Sequence, residues 1–192
     1  MSATVPPASG LLIGLTAPAG SGKSLVGAML EEHYSFVSFG LADPILNMVC
    51  ELALEVDEGC EWAIERSLKE RPMPVLGRSY RELAQTLGDW GRAFEPGFWL
   101  RLAEHKLGQA RVRGENVCVL DIRYPNEAAW LRAQGGTLVA IERPGVAPVR
   151  THSSEQAYAQ LAPEHTLRNG HTREHLLDQI DSLIAQLRTT TP

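Results

Sequence analysis

The sequence predicts an α/β fold in which a central parallel sheet is flanked by helices. Strands of such a sheet read as near-continuous apolar runs, because helices cover both of its faces. Helical spacing in GKSLVGAMLEEH, directly after the first apolar run, predicts a strand, a loop and a helix in that order. The candidate strands are LLIGLT at 11–16, FVSFG at 36–40, VCVLDI at 117–122 and GTLVAIE at 136–142.

Two helix starts in the first half of the chain carry capping signals. Asp43 before Pro44 predicts an N-cap followed by proline at the first helical position. Ser79 and Glu82, three residues apart, have the spacing of a capping box. We therefore expect helices to begin at both places.

Capping signals also predict helices in the second half. Asn126 is expected to cap EAAWLRAQ, which stops at glycines 135 and 136. Ser153 with Gln156 has the pattern of another helix start. The last segment predicts a helix that packs on the core, because six apolar residues share one helical face. They are Leu176, Leu177, Ile180, Leu183, Ile184 and Leu187.

Length and composition indicate one globular domain over residues 1–192, with a flexible lead at 1–10. No apolar run approaches the ~20 residues that span a bilayer, and the first residues lack the features of a secretion signal. We expect a cytoplasmic protein without a membrane span. The net charge of −5 argues against nucleic-acid binding, which needs a basic face. Cys50, Cys60 and Cys118 form no CxxC pair, so reduced thiols are expected.

APAGSGKS at 17–24 matches the phosphate-binding pattern GxxxxGKS/T except at its first position, where Ala17 replaces glycine. In that pattern backbone N–H groups surround the phosphates, lysine reaches the outer phosphates and the hydroxyl binds Mg²⁺. Alanine is disfavoured mainly at positive φ, so the loop tolerates Ala17 if its φ is negative. The remaining residues of the predicted nucleotide-binding loop are Gly20, Ser21, Gly22, Lys23 and Ser24.

Asp121 ends the apolar run VCVL, where a parallel strand delivers its last side chain to the carboxyl edge of the sheet. There it can hold Mg²⁺ directly or through water. The alternative is an aspartate that forms a turn or caps a helix.

RELAQTLGDWGR at 81–92 predicts a helix with Arg81, Gln85 and Gly88 on one face, followed by Arg92 beyond Gly91. Two cations and an amide would then face the same place. An amphipathic helix with arginines on a solvated surface is the alternative.

Several of these motifs, in this order, resemble the deoxynucleoside monophosphate kinases of bacteriophages, which belong to the P-loop nucleoside monophosphate kinases. The resemblance covers about residues 11–187. It lies in GLTAPAGSGKS, SFGLADPIL, YRELAQTLGDWGR, VLDIRYPNEAAWLRAQGG, IERPG, HSSE and RNG.

The resemblance implies a P-loop NTPase fold with acceptor-binding and lid segments, the helical acceptor-binding region covering about 41–113. It also implies Mg²⁺-assisted phosphoryl transfer from ATP to a deoxynucleoside monophosphate. The acceptor's phosphate is already ionised, so the reaction needs alignment and charge neutralisation but no general base. The sequence leaves open the preferred base and the oligomeric state, a homodimer included.

Site residues follow from the resemblance by position. Lys23 and Ser24 would serve ATP and the metal, and Arg123 and Arg143 are candidates for clamping the transferred phosphoryl group. For each of these two arginines the alternative is a place on the surface without such a role. The remaining candidates line the acceptor side: Asp43, Arg81, Gln85 and Arg92, with Trp90, Phe94 and Trp99 able either to stack a base or to pack in the core.

Two other functions fit part of the sequence. Dephospho-coenzyme A kinases also have GLT before the loop and GSGKS within it, although RELAQTLGDWGR has no place in their pattern. A regulator that binds ATP without transferring phosphate would need only the loop.

Overall fold

The computed structural model describes residues 10–56, 68–146 and 160–190. The chain divides into two compact units. One consists of Met1–Gly40 with Glu104–Pro192, and the other of Leu41–Ala103. The predicted division at about 41–113 stays a prediction.

The first unit contains a parallel five-stranded sheet, which confirms the predicted fold class. The strands are β1 (Leu12–Thr16), β2 (Phe36–Phe39), β3 (Asn116–Val119), β4 (Thr137–Glu142) and β5 (His165–Arg168). Their order is β2-β3-β1-β4-β5, so β1 lies at the centre with β3 and β4 as its neighbours. Four strands were predicted, although β3 ends earlier than expected. The short edge strand β5 was missed.

Helices pack against the sheet through residues that alternate along β1. Ile13 and Leu15 belong to a buried cluster with residues of α1 (Lys23–Tyr34) and α6 (Arg173–Thr190). On the other side of the strand, a Cβ at Gly14 would lie 2.4 Å from Leu131 in α5 (Pro125–Ala133). Successive strand residues point to opposite faces, so helices cover both faces of β1. The burial of Leu176, Ile180, Leu183 and Ile184 confirms the predicted apolar face of α6.

The second unit contains α2 (Asp43–Leu54), α3 (Tyr80–Phe94) and the start of α4 (Phe98–Val112). The Tyr80 hydroxyl donates a hydrogen bond of 2.9 Å to the Leu46 carbonyl, which joins α3 to α2. The predicted capping box is confirmed, since the Ser79 hydroxyl accepts from the Glu82 backbone N–H at 3.2 Å and Glu82 accepts from Ser79 N–H at 2.8 Å.

Two predicted caps are wrong by one or two positions. Asp43 is the first residue of α2, Ala42 is the N-cap, and Asp43 therefore lies within the first turn. Asn126 lies inside α5, whose N-cap is Tyr124 with Pro125 at the first position. In both helices the first turn tolerates proline, because the backbone N–H groups of that turn have no helical partners in any case.

Several further expectations have mixed outcomes. Ser153 and Gln156 lie outside the described residues. Cys118 is buried with a free thiol, but Cys50 is disulfide-bonded, which corrects the expectation of reduced thiols throughout. Among the helices that the structure describes, none is long and apolar enough to cross a membrane.

Candidate functional site

The loop at residues 17–22 joins the central strand β1 to α1, with Gly22 as the N-cap of α1. Gly20 has φ of 86° and Gly22 has φ of 106°, conformations that side-chain-bearing residues rarely adopt. Among the described non-glycine residues, positive φ occurs at Ser35 and Ala162, so Ala17 keeps negative φ as expected. The glycine spacing thus follows from the backbone conformation of the loop.

Lys23 and Ser24 form the first turn of α1, where backbone N–H groups lack helical partners and attract anions. The Lys23 ammonium folds back over the loop and donates to the Ala17 carbonyl at 2.6 Å and the Pro18 carbonyl at 3.4 Å. The Ser21 Oγ atom is buried and has no hydrogen-bond partner among the described residues. The loop therefore presents an ammonium group, helix-terminal amides and an unsatisfied hydroxyl together.

Side chains that follow β4 and β5 donate hydrogen bonds to carbonyl groups of the loop. The Arg143 guanidinium donates to the Gly20 carbonyl at 3.2 Å, which brings this predicted residue to the loop. The Asn169 side-chain amide donates to the Ser21 carbonyl at 2.9 Å. No role was predicted for Asn169 from the sequence, although its RNG motif was part of the resemblance.

Asp121 lies in the turn after β3, at the same edge of the sheet as the loop. Its neighbours are fixed by sheet-like bonds, from Leu120 N–H to the Phe39 carbonyl and from Ile122 N–H to the Leu15 carbonyl, both at 3.0 Å. Asp121 is half-buried and Arg123 is exposed. The structure thus brings Asp121 and Arg123 to the sheet edge from which the loop starts.

Glu127 in α5 holds the segment that follows this turn and was not identified from the sequence. Its Oε2 atom accepts hydrogen bonds from the backbone N–H groups of Arg123 at 2.7 Å and Tyr124 at 3.0 Å. Burial is the main cause that raises the pKa of Glu127 to about 7, and the Asp121 charge adds to the rise. The two N–H groups and the Arg123 charge act in the opposite direction. The only signal in the sequence was its place at the third position of α5.

A cleft of about 500 Å³ opens beside the loop. Pro18 and Ser21 of the loop line it, together with Arg143 and Pro144 after β4 and Arg168 at the end of β5. Its size is within the range of pockets that hold small molecules.

The second unit carries the predicted acceptor residues on α3. The helix continues through Gly91 to Phe94, so Arg81, Gln85 and Arg92 lie on one face within a single helix. Arg81 forms an ion pair with Glu70, and Arg92 donates to Asp89 at 2.8 Å. Gln85 is half-buried. The predicted shared face is present, with both arginines held by carboxylates.

Trp99 is buried against α3, with 7% of its surface exposed. Its indole N–H donates to the Gly88 carbonyl at 3.0 Å, and a Cβ at Gly91 would lie 2.5 Å from the ring. Trp90 and Phe94 are 55% and 75% exposed and stack at 6.5 Å between ring centroids. Of the three rings considered for stacking a base, Trp99 packs between helices and the other two face solvent.

Comparison with known proteins identifies the family. The chain is 30% identical over 187 residues to the "Putative deoxynucleotide monophosphate kinase" of Acanthamoeba polyphaga mimivirus, covering 91% of this chain and 96% of the relative. The chain belongs to the deoxynucleotide monophosphate kinase family. No model of a known protein family matches it.

Two solved structures are similar to this member of the deoxynucleotide monophosphate kinase family. The protein TT1252 from Thermus thermophilus shares 20% sequence identity at a TM-score of 0.50, with 93% of this chain and 98% of that chain covered. Dephospho-CoA kinase from Campylobacter jejuni shares 15% identity at a TM-score of 0.48, with 92% and 96% covered. The second likeness is too low to distinguish one kinase substrate from another. Family membership and the phosphate-binding loop together support phosphotransferase activity of the P-loop kinase type.

Proposed function

We propose that this protein transfers the γ-phosphoryl group of ATP to a deoxynucleoside 5′-monophosphate and releases the corresponding diphosphate. The observation that carries the proposal is the geometry of residues 17–24. Gly20 and Gly22 have left-handed backbone conformations there, and the Lys23 ammonium and the start of α1 lie at the same loop. The family's name supplies the nature of the acceptor.

The loop is proposed to hold the triphosphate of ATP. Backbone N–H groups at the start of α1 would face the phosphate oxygens, and the Lys23 ammonium would exchange its bonds to the Ala17 and Pro18 carbonyls for bonds to phosphate. The adjoining cleft would take the nucleoside. Arg143, already bonded to the Gly20 carbonyl, lies at the edge shared by loop and cleft.

Mg²⁺ is proposed to lie between Ser24 and Asp121. Both residues follow strands that are neighbours in the sheet, and both offer the oxygen ligands that Mg²⁺ prefers. Within residues 10–56, 68–146 and 160–190, no group of three or more His, Cys, Asp or Glu side chains forms a metal site. Two protein oxygens suit Mg²⁺, since the ion keeps waters and takes further ligands from phosphates. The bound metal would neutralise charge on the phosphates.

Arg81, Gln85 and Arg92 are proposed to bind the phosphate and base of the acceptor, with Asp43 lining the same site. Guanidinium groups match phosphate oxygens with paired hydrogen bonds. Glu70 now pairs with Arg81, and Asp89 pairs with Arg92. These carboxylates would compete with the incoming phosphate for the two guanidinium groups. The acceptor oxygen is already ionised, so these residues act by alignment and Arg123 and Arg143 by charge neutralisation.

A substrate panel tests the proposal. The protein is mixed with ATP, Mg²⁺ and, in separate reactions, each deoxynucleoside monophosphate, dephospho-coenzyme A or no acceptor, and ADP is measured. We expect ADP formation that depends on at least one deoxynucleoside monophosphate. ADP formed only with dephospho-coenzyme A would assign the chain to that other kinase class, and absence of acceptor-dependent ADP would favour an ATP-binding regulator.

A further inference from the structure

Asn169 immediately follows β5 and reaches the phosphate-binding loop, which lies almost 150 residues earlier in the sequence. Its side-chain Nδ2 donates a hydrogen bond of 2.9 Å to the Ser21 carbonyl across a separation of 148 residues. Its own backbone N–H donates to the Glu142 carbonyl at 2.7 Å, which continues the pairing of β4 with β5 by one residue. Asn169 is therefore fixed to the sheet at one end and bonded to the loop at the other.

The loop is shaped to receive this side chain. Gly22 has φ of 106°, and a Cβ there would lie 2.3 Å from Asn169 Nδ2, which is a steric clash. Any side chain at position 22 would thus displace the amide as well as strain the backbone. The glycine and the asparagine form one complementary contact.

The hydrogen bond controls the direction of a backbone N–H group. The Ser21 carbonyl and the Gly22 N–H belong to the same peptide unit, which is planar and trans, so they point in opposite directions. The hydrogen bond from Asn169 to the Ser21 carbonyl therefore points the Gly22 N–H away from Asn169. Arg143 holds the preceding carbonyl, that of Gly20, in the same manner at 3.2 Å.

We propose that Asn169 is a positioning residue that sets the Ser21–Gly22 peptide so that the Gly22 N–H faces the β- and γ-phosphates of the nucleotide. The proposal rests on the proposed function, since it assumes that the loop binds ATP. Asn169 itself does not contact the phosphates. A single hydrogen bond of this kind corresponds to roughly a threefold to tenfold change in affinity.

The test compares Asn169→Ala and Asn169→Asp with the unsubstituted protein. Alanine removes the donor, whereas aspartate keeps the shape but sets a carboxylate against the Ser21 carbonyl and adds a negative charge beside the loop. Gln109→Glu is the matched control, because it changes an exposed side-chain amide in α4 to a carboxylate. The dissociation constant for ATP, the KM of each substrate and the unfolding temperature are measured for every variant.

We expect Asn169→Ala to raise the dissociation constant and KM for ATP roughly threefold to tenfold and Asn169→Asp to raise them further, with the acceptor KM within about twofold of the unsubstituted value. The Gln109→Glu control should match the unsubstituted protein. An ATP dissociation constant within twofold in Asn169→Ala, or an equal rise in the KM of both substrates, would overturn the proposal. If Asn169→Ala does not fold, Asn169→Ser gives the same comparison.

The outcomes separate this inference from the proposed function. If the unsubstituted protein binds no ATP, the proposed function fails first. If the unsubstituted protein binds ATP and the Asn169 variants bind it equally well, the proposed function stands and the positioning role is wrong.

Discussion

The Glu127 carboxylate accepts a hydrogen bond of 2.7 Å from the backbone N–H of Arg123, although the group is buried enough to disfavour its charge. The same oxygen accepts from Tyr124 N–H at 3.0 Å. The two bonds fix the segment that begins two residues after Asp121, so Glu127 joins the chain that follows the proposed metal ligand to the start of α5.

The raised pKa of Glu127 predicts a pH-dependent gain in stability for Glu127→Gln. Burial raises the pKa of the folded group from 4.5 to about 7, so between these values the unfolded chain releases its proton while the folded protein retains it. Stability contributed by the protonated group is complete below pH 4.5 and is lost as pH rises through about 7. Glutamine stays neutral and can accept both hydrogen bonds. Its stability relative to the unsubstituted protein should rise between pH 5 and pH 8.

Thermal unfolding in metal-free buffer checks this prediction, with Glu115→Gln as a control of opposite sign. The hydrogen bond from Arg113 lowers the pKa of Glu115, so that substitution should cost stability at pH 8 and less near pH 4. An unfolding temperature for Glu127→Gln that falls relative to the unsubstituted protein as pH rises would contradict the assignment.

Lys23→Ala should remove most phosphoryl-transfer activity. The ammonium is the cation held within the loop by the Ala17 and Pro18 carbonyls, and loss of one such charge-stabilising group lowers kcat roughly 100- to 1000-fold. Steady-state rates at saturating ATP measure the effect. Lys106→Ala, which removes an ammonium that lies 5.3 Å from the Phe39 ring centre, serves as the control and should keep its kcat. Comparable losses in both variants would show that Lys23 has no special part.

Arg81→Ala should mainly impair use of the acceptor. A hydrogen bond from a charged group contributes about 1.5–3 kcal/mol, so kcat/KM for the acceptor should fall roughly 10- to 100-fold while KM for ATP changes little. Arg101→Ala is a matched control, since Arg101 is also exposed and paired with a carboxylate, that of Glu95. Normal acceptor KM and kcat in the Arg81 variant would count against its assignment.

Gly91→Ala should destabilise the second unit, whereas Gly108→Ala should not. A Cβ at Gly91 would lie 2.5–2.7 Å from three atoms of the Trp99 ring, and overpacking of this kind costs about 1–3 kcal/mol. At Gly108 no atom lies within 4 Å, and alanine in a helix is favoured over glycine by about 0.5–1 kcal/mol. Urea unfolding measures both free energies. Equal stability of the two variants would show that α3 and α4 do not pack through this contact.

The sequence predicted the central part of the fold because that part depends on local patterns. β1, the glycine loop and α1 follow one another, and each has its own signal in apolar spacing or glycine placement. β5 was missed because only Leu167 of its four residues is buried, which leaves no apolar run. The N-caps predicted at Asp43 and Asn126 were wrong by one or two positions, because proline fits more than one position of a first helical turn.

The residues that hold the site in position could not be predicted from the sequence. Asn169 meets Ser21 across 148 residues, and the sequence alone does not show which side chain crosses such a distance. Glu127 lies close to its partners, but its raised pKa depends on burial by the rest of the fold. The sequence therefore identified loop residues by their pattern, and the structure was needed to find the residues that hold them.

Transfer of a labelled phosphoryl group tests the central claim most directly. The protein is incubated with Mg²⁺, ATP that carries radioactive phosphorus in the γ-phosphate, and each deoxynucleoside monophosphate in turn, and the products are separated. We predict that the label enters a deoxynucleoside diphosphate and that the Lys23→Ala protein produces far less of it. Label that remains in ATP, or appears only as inorganic phosphate, with every deoxynucleoside monophosphate would contradict the claim.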